Sequence, residues 1–558
     1  MFRTDSDDVG VLESWYASTP GPLWEHIELP GPWERNGIDA DSGAAWFRLE
    51  APGLIVGDSD VLWLAGIDAR ARVWINGHEV RSVSTYPTRF AAPLAHLSKP
   101  DANIISIRVV DRGRSGNILR GAWIAPNSPS GAAWIADTKP ARRSEDWVRD
   151  GVIYSAYLRS ASPEGTFAGL ERRLDELATL GVSILWLLPI HPVGVVGRKG
   201  SLGSPYAVRD FHAVNPEFGT LDDFRRLLAA AHQRGMKLII DLVANHTSWD
   251  NPLIEQHPDW FSRGGDGKIR PPVPDWSDVA QLDYYKPALR EWMIETLCWW
   301  VRDVGIDGFR CDVADMVPLD LWEQVRPQLD AIKPIVMLAE GDKPQDHEQA
   351  FDLTYDWWTY KQLGRLSQGT LSVTSLQHVL ADEALDYPLG SLRMRFISNH
   401  DLNTWHKPAA TRYRRSMRAA AVLSFTLPGV PLIYTGDEVA SEARLDLFER
   451  VVVDFSSDAM GMQAHFAALS KLRRDHAALR RGAMRWYTIE HRNEILAFER
   501  THENESVFVL INLADAQRRV QLPQQMSAAT ADAISTAQQH GATSVTLPPW
   551  SWWIATKA

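Results

Sequence analysis

Cysteine is almost absent from this chain. Its 558 residues contain two, Cys298 and Cys311. That excludes a disulfide-stapled framework and a cysteine-built zinc cluster, and it fits a reducing compartment. Basic residues are in deficit. Lys and Arg total 58 against 70 Asp and Glu, a formal net charge of −12. This balance argues against nucleic acid or an anionic membrane as a partner. Long apolar runs are missing as well. The stretch Val182 to Ile190 is far too short to cross a bilayer. The opening Met1-Phe-Arg-Thr-Asp-Ser-Asp-Asp8 has no apolar core of a signal peptide, so the expected location is cytoplasmic.

What is present is a soluble, globular composition, 45% hydrophobic and 23% charged, with 24 Trp residues. Large cores account for most of these indoles, and sugar stacking is the reading for a minority. At this length two to four domains are expected. Residues 1–140 read as all-β, with runs such as Val61-Leu-Trp-Leu, Ala71-Arg-Val-Trp-Ile and Asn103-Ile-Ile-Ser-Ile-Arg-Val-Val. Turn residues, including Asn76-Gly77, separate them, and the pattern predicts a β-sandwich. A polar stretch from Lys139 to Asp146 follows. Residues 481–558 return to β patterns, among them Val507-Phe-Val-Leu-Ile and Ser551-Trp-Trp-Ile, and predict a second sandwich.

Between them, over 141–480, strand and helix alternate. Eight short apolar runs stand out: Val152–Leu158, Val182–Leu188, Lys237–Val243, Ile306–Val313, Ile335–Ala339, Phe351–Thr354, Met394–Ser398 and Leu432–Thr435. Continuous rather than alternating apolar residues mark strands covered on both faces. The helix before the third run has a capping-box start at Thr220 and Asp223 and a glycine stop at Gly235. Eight such units predict a multidomain α/β protein with a central (β/α)8 TIM barrel. Residues 246–283 form an insertion rich in Pro, Gly, Asp and Trp, and a loop of that length is usually functional.

Three runs lead into carboxylates: Asp312, Glu340 and Asp401. A buried acid needs a partner or a shifted pKa, so acids repeated at strand ends point to a shared pocket. Paired carboxylates cleave glycosidic bonds when one stays ionised and the other stays protonated. Arg310, two residues before Asp312, is expected to hold Asp312 as a carboxylate. The apolar strand before Glu340 is expected to keep Glu340 protonated.

The stretches Asp241-Leu-Val-Ala-Asn-His246, Gly308-Phe-Arg-Cys-Asp312, Glu340 and Asn399-His-Asp401, with Gly429-Val-Pro-Leu-Ile-Tyr-Thr-Gly-Asp-Glu438, resemble in order the signature regions of the α-amylase family of retaining glycoside hydrolases. The resemblance covers residues 150 to 480 and the β domain behind them. It implies that Asp312 is the nucleophile, Glu340 the general acid/base and Asp401 the acid that grips ring hydroxyls. It implies substrate contacts for Tyr206, His246, Arg310 and His400, and an α-glucan oligosaccharide as partner. Asn245 matches a family ligand for Ca2+, the one cofactor the resemblance suggests. Asp241 and Glu438 read as structural, and Asp342 as a solvated loop position. Where long-chain relatives continue Lys-His after the nucleophile, this chain has Asp315-Met316, which shifts weight toward oligosaccharides or cyclodextrins and weakens the case for calcium. Gly31-Pro-Trp33, Ala45-Trp-Phe-Arg48 and Trp74-Ile-Asn-Gly77 resemble galactose-binding-like jelly-roll domains, a likeness of fold that says little about sugar binding.

The activity implied is retaining hydrolysis of α-1,4-linked glucans or maltooligosaccharides. Transglycosylation, or α-1,6, trehalose-type or cyclodextrin cleavage, would use the same acids. A non-catalytic binding protein is a remoter reading, because all three acids are present. Trp249, Trp260, Trp276 and Trp405 lie in mouth loops and serve either to stack on sugar or to pack their own loops. Cys311 is expected to face the helix layer and be inert.

Overall fold

The computed structural model describes residues 140–557 except 370, 371, 527 and 528, together with 2–4, 14–17, 24, 31–32, 44–51, 56–57, 59–67, 70–83, 89–94, 96–97, 103–110 and 117–127. Trp33, Lys139, Met1 and residues 5–8, used in the sequence reading, lie outside the described residues. The chain divides into two compact units. One comprises 1–138 with 375–387, and the other 139–374 with 388–558. The sequence reading assigned 375–387 to the barrel domain. Among the described residues no helix is long and apolar enough to cross a membrane.

The first unit holds a five-stranded and a four-stranded sheet, antiparallel throughout. Inward side chains of both, including Phe47, Leu62, Leu64, Val73, Ile105 and Ile107, form one core. The Asn76-Gly77 turn reverses the chain between strands 70–75 and 78–83. Both residues have positive φ, 48° and 86°, as a tight hairpin requires. Trp15, Trp24, Trp46 and Trp74 pack into a separate buried cluster, so these four are structural.

The second unit centres on a closed parallel barrel. Its strands are β1 (Ile153–Ala156), β2 (Ile184–Leu187), β3 (Lys237–Leu242), β4 (Gly308–Cys311), β5 (Val336–Ala339), β6 (Leu353–Tyr355), β7 (Leu392–Arg395) and β8 (Val430–Tyr434). The ring closes where Ile153 pairs with Leu432. All eight strands are buried almost throughout, which is why they read as continuous apolar runs. The expected capping box is formed: Thr220 Oγ1 accepts from Asp223 N–H at 3.2 Å, and Asp223 Oδ2 accepts from Thr220 N–H at 2.8 Å. Behind the barrel, strands such as Ile495–His502, Glu505–Asn512 and Trp552–Lys557 form a five-stranded sheet facing a three-stranded one. Phe508, Leu510, Val520, Val545 and Trp553 fill the space between them.

Two elements differ from the sequence reading. β7 ends at Arg395, so Asp401 does not terminate a strand; His400 and Asp401 open the helical turn that continues through Leu402–His406. The insertion, expected as a loop with little periodicity, instead opens and closes on strands: His246–Ser248 pairs antiparallel with Val279–Gln281. That ribbon braces the two ends of the insertion.

Past β5, Asp346 is 3% exposed. Burial pushes its carboxyl up to about 8 from an ordinary 3.8, with Asp315 and Asp342 adding to the rise and Lys343 and Arg393 opposing it. The folded state therefore keeps a proton that the unfolded chain loses at lower pH. This contribution is full below the unfolded value and declines as pH rises toward about 8. Asp346→Asn is expected to flatten the decline, so its melting temperature relative to the unchanged protein should rise between about pH 5 and pH 9. Parallel pH profiles in thermal melts would count against this.

Candidate active site

The loops at the C-terminal ends of the barrel strands enclose a pocket of about 650 Å³, within the usual size for a small-ligand site. Tyr206, His246, Asp312, Glu340, His400 and Asp401 all line it. Asp312 directly follows β4 and Glu340 directly follows β5, so adjacent parallel strands bring them side by side.

Arg310 lies beneath the pocket floor and is fully buried. Its Nη1 donates to Asp241 Oδ1 at 2.8 Å and to Asp312 Oδ1 at 2.9 Å. Its Nη2 lies 2.8 Å from Glu340 Oε2, and its Nε donates to the Tyr355 hydroxyl at 3.1 Å. The rings of Trp186, Tyr206 and Tyr355 surround the guanidinium at 5.4, 5.8 and 5.7 Å. A planar cation with several fixed donors suits this shared role better than a point charge.

One cation thus serves three carboxylates, not Asp312 alone as the sequence suggested. Burial pushes the carboxyls of Asp312, Glu340 and Asp401 above the usual range, with Arg310 opposing the rise in each. It pushes Asp241 up to about 7. Three carboxylates share this guanidinium and Asp401 stands beside them at the pocket, so their full ionisation together is costly. The interaction of Glu340 with Asp401 lowers Asp401, while the Asp401 charge raises Glu340, which sets Glu340 as the higher of that pair. Burial raises Glu340 most, in keeping with the apolar strand before it, and the neighbouring Asp401 charge adds to the rise, while the Arg310 contact and a 2.7 Å hydrogen bond from Val313 N–H to Oε2 favour its anion.

That N–H is aimed by an unusual backbone. Val313 has φ of 36°, in the left-handed region that a β-branched residue rarely enters. Such conformations cluster at functional sites, and this one turns an amide toward an acid lining the pocket.

The two histidines are neutral: burial lowers His246 and His400 to about 3. The Tyr206 hydroxyl lies 2.7 Å from His400 Nε2 and donates to Asp241 Oδ2 at 3.1 Å, and its ring stacks on His400 with centroids 5.5 Å apart. Trp276 packs edge-on against His246, and Trp276 and Trp405 line the pocket. Trp405 is 52% exposed, leaving a face open to a ligand. The other two mouth indoles pack their own loops: Trp249 Nε1–H donates to Ser277 O at 2.8 Å, and Trp260 stacks on His257. Glu438 accepts from the Tyr154 hydroxyl at 2.6 Å and from Arg173 at 3.0 Å, and is buried away from the pocket lining. Cys311 is fully buried and outside the lining, and burial raises its thiol well above the usual value.

Asn245 is buried, with its Nδ2 3.2 Å from His246 Nδ1. A calcium ion takes roughly six to eight oxygens, carboxylates usually among them. Among the described residues no group of three or more His, Cys, Asp or Glu is placed to hold a metal. No step below passes through calcium.

Sequence reasoning missed several lining residues: Lys199, Ser204, Asp275, Asp278, Val313, Leu447 and Phe448. They sit in loops after β2, β3, β4 and β8, where neither periodicity nor a motif marks them. The signals available were the length of the 246–283 insertion, which holds Asp275 and Asp278, and the glycine spacing at Gly194, Gly197, Gly200 and Gly203.

The chain matches the family described as "Alpha amylase, catalytic domain" over residues 86–270 and 340–518. It matches "Alpha-amylase SusG C-terminal domain" over 495–554. The alpha-amylase MalA of Haloarcula japonica is 29% identical over 410 residues, which span 69% of this chain and 58% of that protein. The fold superposes on an alpha-amylase from Lactobacillus plantarum with a TM-score of 0.67 at 31% identity, covering 74% of this chain and 100% of that one. A noncanonic maltogenic alpha-amylase from Thermotoga neapolitana gives 0.67 at 31% identity, over 73% and 99%.

Proposed function

The chain belongs to the alpha-amylase family of glycoside hydrolases, and from that premise we propose that it cleaves α-1,4-linked glucans or maltooligosaccharides with retention through a covalent glycosyl-enzyme. The observation that carries the reading is the Arg310 bridge, which holds Asp312 and Glu340 against one guanidinium at the floor of one pocket. Retaining enzymes keep their two carboxyl groups about 5–5.5 Å apart, and inverting ones about 6.5–9.5 Å. A shared guanidinium supports the closer arrangement.

In the first step an Asp312 carboxylate oxygen bonds to the anomeric carbon as the glycosidic C–O bond breaks, and the Glu340 proton passes to the leaving oxygen. In the second, Glu340 takes a proton from water, the water oxygen bonds to the same carbon, and the bond to Asp312 breaks. Asp401, neutral His246 and neutral His400 are placed to hydrogen-bond the hydroxyls of the sugar being cleaved. Tyr206 and Trp405 offer flat faces to its ring. The carbohydrate is the one partner this site supports, and the low cysteine count supports a cytoplasmic location.

Time-resolved analysis of products from maltoheptaose, pullulan and β-cyclodextrin, with the anomer identified, tests this reading. α-Configured initial products are expected, and β-configured ones would exclude the covalent route. Glu340→Gln removes the proton donor but keeps the nucleophile. It is expected to lose about a thousandfold in turnover of a glucan, with azide restoring part of the rate on an activated aryl glycoside as a glycosyl azide. Absence of azide rescue would argue against the acid/base role.

A further inference from the structure

The segment 194–203, in the long loop after β2, takes no part in the chemistry above, yet it is fastened on both sides. Lys199 Nζ pairs with Asp278 Oδ1 at 2.9 Å and donates to Asp275 O at 2.7 Å, both in the insertion after β3. Just beyond, Ser201 N–H donates to Glu449 Oε1 at 2.6 Å, the Ser201 hydroxyl bonds the same carboxylate, and Leu202 N–H donates to Phe448 O at 3.0 Å. These partners belong to the loop after β8.

The crossing is also tight. A Cβ on Gly200, where φ is 64°, would lie 2.5 Å from Phe448 Cβ, and a Cβ on Gly194 would lie 2.3 Å from Ser248 Cβ. Fully buried Arg159 donates to the carbonyls of Leu202, Gly203 and Leu447, which ties the segment's end to the same loop.

In the closed ring, β8, β1, β2 and β3 make up the arc opposite β5. Glu340 follows β5, and the leaving group must lie on the side of the acid that protonates it. Lys199, Asp275, Asp278 and Phe448, which line the pocket, come from the loops after β2, β3 and β8, strands of that arc. We propose that residues 194–203 form a strap across the non-leaving side of the pocket, latched by Lys199, that limits how many sugars extend beyond the cleaved residue and so makes the enzyme release short fragments from chain ends. Lys199 is then a specificity-determining residue, held away from the reacting atoms. The inference rests on the hydrolase reading and adds the substrate register to it.

The test uses the full-length protein and maltoheptaose labelled at its reducing end, with released fragments sized at early times, beside turnover of 4-nitrophenyl α-glucoside. The unchanged enzyme should release fragments of one or two short lengths. Lys199→Ala, and separately Glu449→Gln at the other attachment, should each raise the early share of longer fragments about tenfold, with turnover of the aryl glucoside by Glu449→Gln, a residue outside the pocket lining, staying within about twofold. Lys199→Arg, which keeps a cation, should retain the original pattern. Unchanged fragment lengths in both loosened variants would overturn the strap. An unchanged enzyme that turns over neither substrate would overturn the hydrolase reading and the strap with it.

Discussion

Asp312→Asn is expected to lose turnover by about four powers of ten or more while the protein stays folded. An amide cannot form the covalent bond to the anomeric carbon, yet it has nearly the same shape and can still accept the hydrogen bond that Arg310 Nη1 gives Asp312 at 2.9 Å. The stability effect should be neutral or favourable. Asp312 is 5% exposed, and burial raises its carboxyl well above the usual range, so its anion is costly to keep there. Steady-state rates on maltoheptaose, thermal melts and far-ultraviolet circular dichroism check this. A variant that keeps more than about a hundredth of the rate would remove Asp312 from the nucleophile's place.

Arg310→Met is expected to abolish turnover and also to destabilise the barrel, which separates it from Asp312→Asn. The guanidinium, itself fully buried, contacts Asp241, Asp312 and Glu340 beneath the pocket. Removing it leaves buried Asp241 and Asp312, and Glu340 beside them, with no cation, and breaking a buried pair in this way costs about 3–5 kcal/mol. Part of that is recoverable, because acids without a cation take up protons. The loss should therefore be greatest above about pH 7 and smaller in acid. Arg310→Lys should recover only part of the stability, since one ammonium cannot reach both edges that the planar group spans. Denaturant melts at two pH values provide the measurement. A methionine variant with the original stability at both would show that the acids do not depend on this cation.

Much of the architecture was readable from the chain because it follows from local rules. The barrel strands are continuous apolar runs, a consequence of burial on both faces. The Thr220 cap and the Asn76-Gly77 turn are set by side chains within a few residues of each other. Asp312 and Glu340 stood out as acids at the ends of such runs, and both line the pocket. Asp401 was read in the same way, as an acid at a strand end, but its strand ends at Arg395 and a helical turn carries it to the site.

What the residues determined by themselves was chemistry: which acids, which arginine, which histidines, and in what order along the chain. Only the tertiary structure decided how their charge is shared. Arg310 looked like the private partner of Asp312 because the two are neighbours in sequence, but β3 and β5 flank β4 in the ring and bring Asp241 and Glu340 to the same guanidinium. The same holds for Lys199, which meets Asp278 only because two loops far apart in sequence cross over one mouth. Electrostatic coupling depends on distance and burial, and in a closed barrel the nearest charge is set by strand order around the ring, which sequence separation does not encode.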